Sequence, residues 1–287
     1  MIWYVWALLG AVLSASYYAF AKKLLKEINQ YVLAAGTFLS MFILLQLVAL
    51  TRDVPAISDG FYYGVLGGVF VNVIAVTLAY KALKSTDLSL AMPMISFTPA
   101  FTLLTSFLLL GEFPTLFGLG GILLIVIGSY VLNISHDGED FLKPIKHIFK
   151  TKGTVYMLIV AFLYSFGINF DKIVVINSDP IFGYSFIPLG LGLSFLVISM
   201  IQKLPIIKTL QEHGLKIIGA GALLAVVAVV VNIALTQQIV PYVISIKRMS
   251  VLFGVIFGGF FFHEKNISHR VLGALIMLSG MIVIIMF

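Results

Sequence analysis

Lys247 and Arg248 stand side by side in residues 240–264 (VPYVISIKRMSVLFGVIFGGFFFHE), a stretch otherwise apolar enough to cross a bilayer. An ionisable side chain at membrane depth costs roughly 2.5–3.5 kcal/mol on insertion scales, so it normally faces a cavity or a partner. Arg offers a planar fork of donors and Lys a compact point charge, a combination suited to a carboxylate or a phosphate. The pair lies about eight residues into its helix, roughly 12 Å of rise, near the limit of what snorkelling to an interface could cover. The alternative is that the two cations neutralise a buried acid, and Asp171 is the one carboxylate deep in another apolar stretch.

Other residues could complete such a site. Lys172 closes the sixth apolar stretch beside Asn169 and Asp171, and Lys22 recurs at the matching place in the first. Each is either an interfacial charge or part of the pocket. Tyr80, Lys81, Asn232, Gln237 and Gln238 fall near two matching stretch ends, where they line a cavity or hydrogen-bond between helices. Glu112 and Glu264 each sit between two tightly joined helices, a place where a carboxylate caps the N-terminus of the next one. Trp3, Trp6, Tyr62 and Tyr63 read as interfacial belt residues. HExxH, P-loop and nucleophile-elbow patterns are missing, as is a paired-Asp motif for Mg²⁺-diphosphate, and there is no Cys. An enzyme, a cofactor and a protein-bound metal are therefore not expected.

The elements that must position these residues follow from composition. Of 287 residues 61% are hydrophobic and 10% charged, with mean hydropathy +1.10. Soluble domains average about 25% charged residues. So few charges cannot cover a water-facing surface, which makes this an integral, multi-pass membrane protein, placed in the cell (plasma) membrane. Ten apolar stretches are expected to span it as helices: 2–20, 31–50, 61–83, 88–110, 114–133, 154–175, 181–201, 215–236, 240–262 and 271–287. Residues 2–20 are too long and continuous for a signal peptide and lack a charged leading region.

The most polar segment divides the chain into 1–135, a loop 136–153, and 154–287. The halves resemble each other. GEFPTLFGLGGILLIVIGSYVL (111–132) aligns with HEKNISHRVLGALIMLSGMIVI (263–284), matching Glu112 to Glu264, Gly121 to Gly273 and Gly128 to Gly280. AFAKK (19–23) aligns with NFDKI (169–173), pairing Lys22 with Lys172, and YKAL (80–83) aligns with NIAL (232–235). Five spans per half force the second copy into the opposite orientation, giving an all-α polytopic fold of two inverted five-helix repeats whose site lies near the midplane. Lysines cluster in loops after odd-numbered spans, which by the positive-inside rule puts both termini outside.

YKAL, then TPAFTLLTSFLLLGE (98–112), then the glycine-spaced fifth span resemble the drug/metabolite transporter superfamily, specifically the EamA-type transporters. Val251 departs from that pattern where the first half has Pro99. The resemblance implies a central cavity and alternating access, and its members are usually drawn with both termini in the cytoplasm, so the orientation stays open. IKRMS (246–250) is similar to the Lys-Arg motif by which the related plastid phosphate-sugar translocators bind substrate phosphate.

The expected function is secondary transport of a small organic metabolite, anionic and either phosphorylated or a carboxylate. Lys247 and Arg248 would hold it, and Lys22, Lys172, Tyr80 and Asn232 would complete the pocket. Partners are a small-molecule substrate, a coupling ion or counter-substrate and membrane lipid, with no nucleic acid, in a monomer or homodimer. Alternatives are an exporter of amino acids or amphipathic drugs, a flippase for a lipid-linked substrate, and a non-transporting scaffold or receptor.

Overall fold

Apolar side chains on nearly every helix face leave the backbone no aqueous partners, so each segment must satisfy its own hydrogen bonds as a helix. The computed structural model describes residues 2–85, 94–132, 152–253 and 267–286. Ten helices run through them, and no strand occurs among the described residues: α1 Trp3–Leu24, α2 Gln30–Ala49, α3 Gly60–Ser85, α4 Thr98–Leu110, α5 Leu116–Leu132, α6 Lys152–Ile176, α7 Phe182–Ile201, α8 Ile206–Gln237, α9 Val240–Lys247 and α10 Ile267–Met286. Five of these, α2, α3, α6, α7 and α8, are each long and apolar enough to cross a membrane alone. Leu66, Leu108, Leu116 and Leu215 point outward, as expected of a chain solvated by lipid.

Small residues let the helices approach. Gly121 of α5 lies against the Gly280 carbonyl of α10, and Gly128 lies against that of Gly273. Since Gly121 matches Gly273 and Gly128 matches Gly280 in the aligned halves, each contact is the image of the other. The two fifth helices are antiparallel and reciprocal. The same exchange relates α3 on α6, where Gly67 meets Phe170, to α1 on α8, where Gly10 meets Val231. The second helices, α2 and α7, pack on each other, with Gln46 Nε2 donating to Ser185 Oγ at 2.8 Å and Phe38 stacked on Phe195. These are contacts that a two-fold exchange of inverted halves generates.

Expectation and structure part at several places. α8 begins at Ile206, ahead of the expected start at 215, because the chain resumes its helix immediately after Pro205. The expected ninth span does not run straight through: α9 stops at Lys247 and the chain turns at Arg248 and Met249 before a helical turn over 250–253. Asn169, Asp171 and Lys172 do not close their span at an interface, since α6 continues past them to Ile176 and Lys172 is 8% exposed. Trp3 is buried and stacked on Tyr242, whereas Tyr62 and Tyr63 are exposed. The loop expected at 136–153 falls largely outside the described residues, as does Glu264.

Candidate functional site

The fourth helix of each half is broken at the same place. In the first half Met94 and Ile95 are helical, Ser96 and Phe97 form a turn, and α4 begins at Thr98. In the second, Ile246 and Lys247 are helical, Arg248 and Met249 form the turn, and helix resumes at Ser250. Two backbone hydrogen bonds recur at matching positions. Phe97 N donates to Met94 O (3.2 Å) as Met249 N does to Ile246 O (2.9 Å), and Phe101 N donates to Phe97 O (3.1 Å) as Phe253 N does to Met249 O (3.1 Å). Pro99 helps explain the first break, because it has no N–H to donate to Ile95 O, which Thr98 Oγ1 takes instead, and it suits the first turn of the helix that restarts at Thr98. Discontinuous helices of this kind mark binding sites in inverted-repeat membrane proteins.

The two breaks touch. Arg248 Nη2 donates to Thr98 Oγ1 at 2.5 Å, and Thr98 Oγ1 donates to Ile95 O at 2.7 Å. Ser129 Oγ of α5 donates to Ser96 Oγ at 2.8 Å, steadying the first break from behind. Arg248 Nε is buried and has no partner. Lys247 makes no ion pair among the described residues, and both cations keep some accessible surface although they sit among packed helices. Around them are Tyr18 of α1 and Tyr164 of α6, within electrostatic range of Arg248, and Asp171 of α6, within range of Lys247. Tyr80 lies in range of Tyr17 and Tyr164, so this tyrosine group carries the site across to α3.

A second polar cluster ties helix ends near the N-terminal face. Gly111 at φ 68° closes α4 in a left-handed cap, with Glu112 N donating to Ser106 O at 3.2 Å, and that reversal aims the Glu112 side chain across the repeat boundary. Glu112 Oε1 pairs with Lys172 Nζ at 2.5 Å, and Oε2 accepts from Val240 N at 2.8 Å. Lys172 Nζ also donates to Gln238 O at 2.7 Å. Glu112 therefore does cap a helix, but it caps α9 of the other half rather than the next helix α5. Tyr242 adds a hydroxyl that accepts from Thr115 N at 3.0 Å.

The expected site residues thus separate. Lys247 and Arg248 lie at the second break, and Tyr80 is connected to Arg248 through Tyr164, which is in range of both. Lys172 is a member of the Glu112 cluster, its charge already matched. Asn232 is buried to 1% exposure with Nδ2 unpartnered, so it is a polar group without a packing explanation. Lys22 falls in the last turns of α1, and its side chain lies outside those described. Sequence reasoning missed Thr98, Tyr17, Tyr18 and Tyr164. A Thr before a Pro inside an apolar run was the available signal for Thr98, since it marks where a helix must start again.

Comparison with known proteins agrees with this architecture. The sequence model of the EamA-like transporter family matches residues 1–134. A solved structure described only as "Crystal structure of protein" is similar to this one with a TM-score of 0.75, covering 98% of this chain and 94% of its own at 14% identity, a likeness of fold. No curated protein matches the chain. The first half of the chain, residues 1–134, is thus similar to the EamA-like transporter family, a family of transporters rather than enzymes, and the apolar helices make the protein a polytopic membrane protein of that type.

Proposed function

We propose that the protein carries a small organic anion, phosphorylated or a carboxylate, by alternating access, and that the anion sits between the two helix breaks on Lys247 and Arg248. The observation that carries this reading is an imbalance among the membrane-embedded cations. Lys172 has Glu112 at 2.5 Å. Lys247 and Arg248 have no carboxylate at ion-pair distance among the described residues, and Arg248 Nε has no partner at all. Two cations held at membrane depth call for a counter-charge, and a bound anion would supply it through charge-assisted hydrogen bonds. Tyr80, Tyr164 and Asn232 would complete the pocket.

The Glu112–Lys172 cluster joins the ends of α4, α6, α8 and α9, so it holds the repeats together at the N-terminal face. Opening that face requires the pair to separate, while the breaks provide the flexible midpoints about which each fourth helix can bend. Such a carrier moves its substrate with a coupling ion or in exchange for a counter-substrate, and its place is the plasma membrane.

The test is uptake into liposomes reconstituted with the purified protein, using labelled phosphate esters and dicarboxylates beside neutral sugars and a cationic amine. Flux of anions alone, lost in the Lys247→Ala/Arg248→Ala protein, is the expected outcome. Flux of the cationic amine or the sugar, indifferent to both substitutions, would sink the reading. Binding of anions with no flux of any compound would instead favour a receptor.

A further inference from the structure

Asp171 is the one carboxylate of α6, and it takes no part in the Glu112–Lys172 ion pair. It precedes Lys172, and a helical step of about 100° turns it away from the Glu112 pair. Its Oδ1 is buried without a hydrogen-bond partner, yet the residue as a whole keeps accessible surface. Buried polar atoms in folded proteins are nearly always satisfied, so an orphaned carboxylate oxygen on a residue that keeps accessible surface points to a donor that is not part of the chain. Two groups from other helices lie within electrostatic range of it: Lys247 of α9 and the Tyr184 hydroxyl of α7. Neither forms a hydrogen bond or ion pair with it.

Asp171 thus sits at the margin of the same site as Lys247 and Arg248, with opposite charge. We infer that Asp171 is a specificity-determining residue that receives a protonated amine on the substrate, while the substrate's acidic groups rest on Lys247 and Arg248. This rests on the anion reading given above. Two cations and one carboxylate are complemented by a ligand with two negative charges and one positive: an amino-bearing dianion, such as an acidic amino acid or an aminoalkyl phosphate. A carboxylate in a dry site distinguishes an ammonium from a methyl group of similar size far better than a pocket wall does, because the ammonium makes a charge-assisted bond and the methyl leaves the acid unpaired.

The experiment measures equilibrium binding of four probes to the full-length protein in lipid nanodiscs. They form two matched pairs, 2-aminoethyl phosphate with propyl phosphate, and glutamate with glutarate, so the pairs also separate phosphate from carboxylate as the acidic group. At least one amino member is expected to bind about tenfold or more tightly than its partner. Asp171→Asn should bring that ratio close to one while the amine-free partner still binds, and Asp171→Glu should keep the preference. Equal binding within both pairs in the parent overturns the proposal, as does an unchanged ratio in Asp171→Asn. If Asp171 only offsets Lys247, its neutralisation strengthens every anion alike and leaves the ratio where it was, which also overturns it. Failure of the underlying anion reading looks different: Lys247→Ala/Arg248→Ala then binds the amine-free anions as the parent does, or none of the four binds the parent.

Discussion

Thr98 and Arg248 are 150 residues apart in sequence, and Arg248 Nη2 donates to Thr98 Oγ1 at 2.5 Å. Each belongs to the broken fourth helix of its own half, so one hydrogen bond joins the two interruptions across the repeat boundary. The bond fixes the direction of the guanidinium fork. It occupies Nη2 and leaves Nε buried without a partner, a donor that a bound anion would satisfy.

Thr98→Val removes the acceptor while keeping the shape. Hydrogen bonds to charged groups are worth about 1.5–3 kcal/mol. The freed guanidinium should therefore bind propyl phosphate or glutarate about tenfold more weakly, and Thr98→Ser should bind them as the parent does. Calorimetric titration distinguishes the two, and indifference to Thr98→Val would show that Arg248 is held by other contacts.

Glu112 and Lys172 make a partly buried pair, and removing one partner of such a pair leaves an uncompensated charge at a cost of about 3–5 kcal/mol. Glu112→Gln keeps an acceptor for Val240 N and so isolates the charge. It should lower the melting temperature strongly, Lys172→Met should do likewise, and the double substitution should cost less than the two together by about 1–3 kcal/mol. Additive losses would mean that the pair is not coupled.

The fifth-helix contact supplies a steric prediction. A Cβ at Gly128 would lie 2.7 Å from the Gly273 carbonyl oxygen, a backbone atom that cannot swing aside, whereas one at Gly120 meets nothing within 4 Å. Gly128→Ala should destabilise the folded protein by about 1–3 kcal/mol, and Gly120→Ala should not. Melting curves of the two variants in the same detergent decide this.

In the turn after α1, Glu27 Oε2 lies 2.9 Å from Lys216 Nζ of α8, and this hydrogen bond holds the Glu27 carboxyl below its ordinary value. A depressed carboxylate contributes fully above its unfolded value, near pH 4.3, and the contribution fades as pH falls through the folded value. The turn after α1 should therefore loosen from α8 only below about pH 4. Amide exchange over residues 25–29 measures it, and Glu27→Gln should show the faster exchange already at pH 7.

The scaffold was legible because its signals are continuous. Apolar runs of bilayer length gave ten helices, and the shared Glu and Gly spacing of 111–132 and 263–284 gave the repeat whose glycines pair across α5 and α10. The site was only half legible. Lys247 and Arg248 announced themselves by charge in an apolar run. The partners that distinguish them from Lys172 did not, because pairing depends on which helix ends meet. Glu112 reaches Lys172 and Val240 across the repeat boundary, where local reasoning placed it on the next helix. Thr98 gave a weak signal for the same reason: a hydroxyl on a helix is ordinary until a cation from another repeat arrives beside it.

The most direct test of an anion site at the helix breaks is counterflow in proteoliposomes of the best-transported anion from the uptake panel, comparing the parent with Lys247→Ala, Arg248→Ala and the double variant. Each protein is first checked for an unchanged elution profile and melting temperature. Loss of a charge-assisted contact worth about 2–3 kcal/mol should lower kcat/KM by about 30- to 150-fold in each single variant and abolish flux in the double. Parental flux in a folded double variant would contradict the placement of the anion on Lys247 and Arg248.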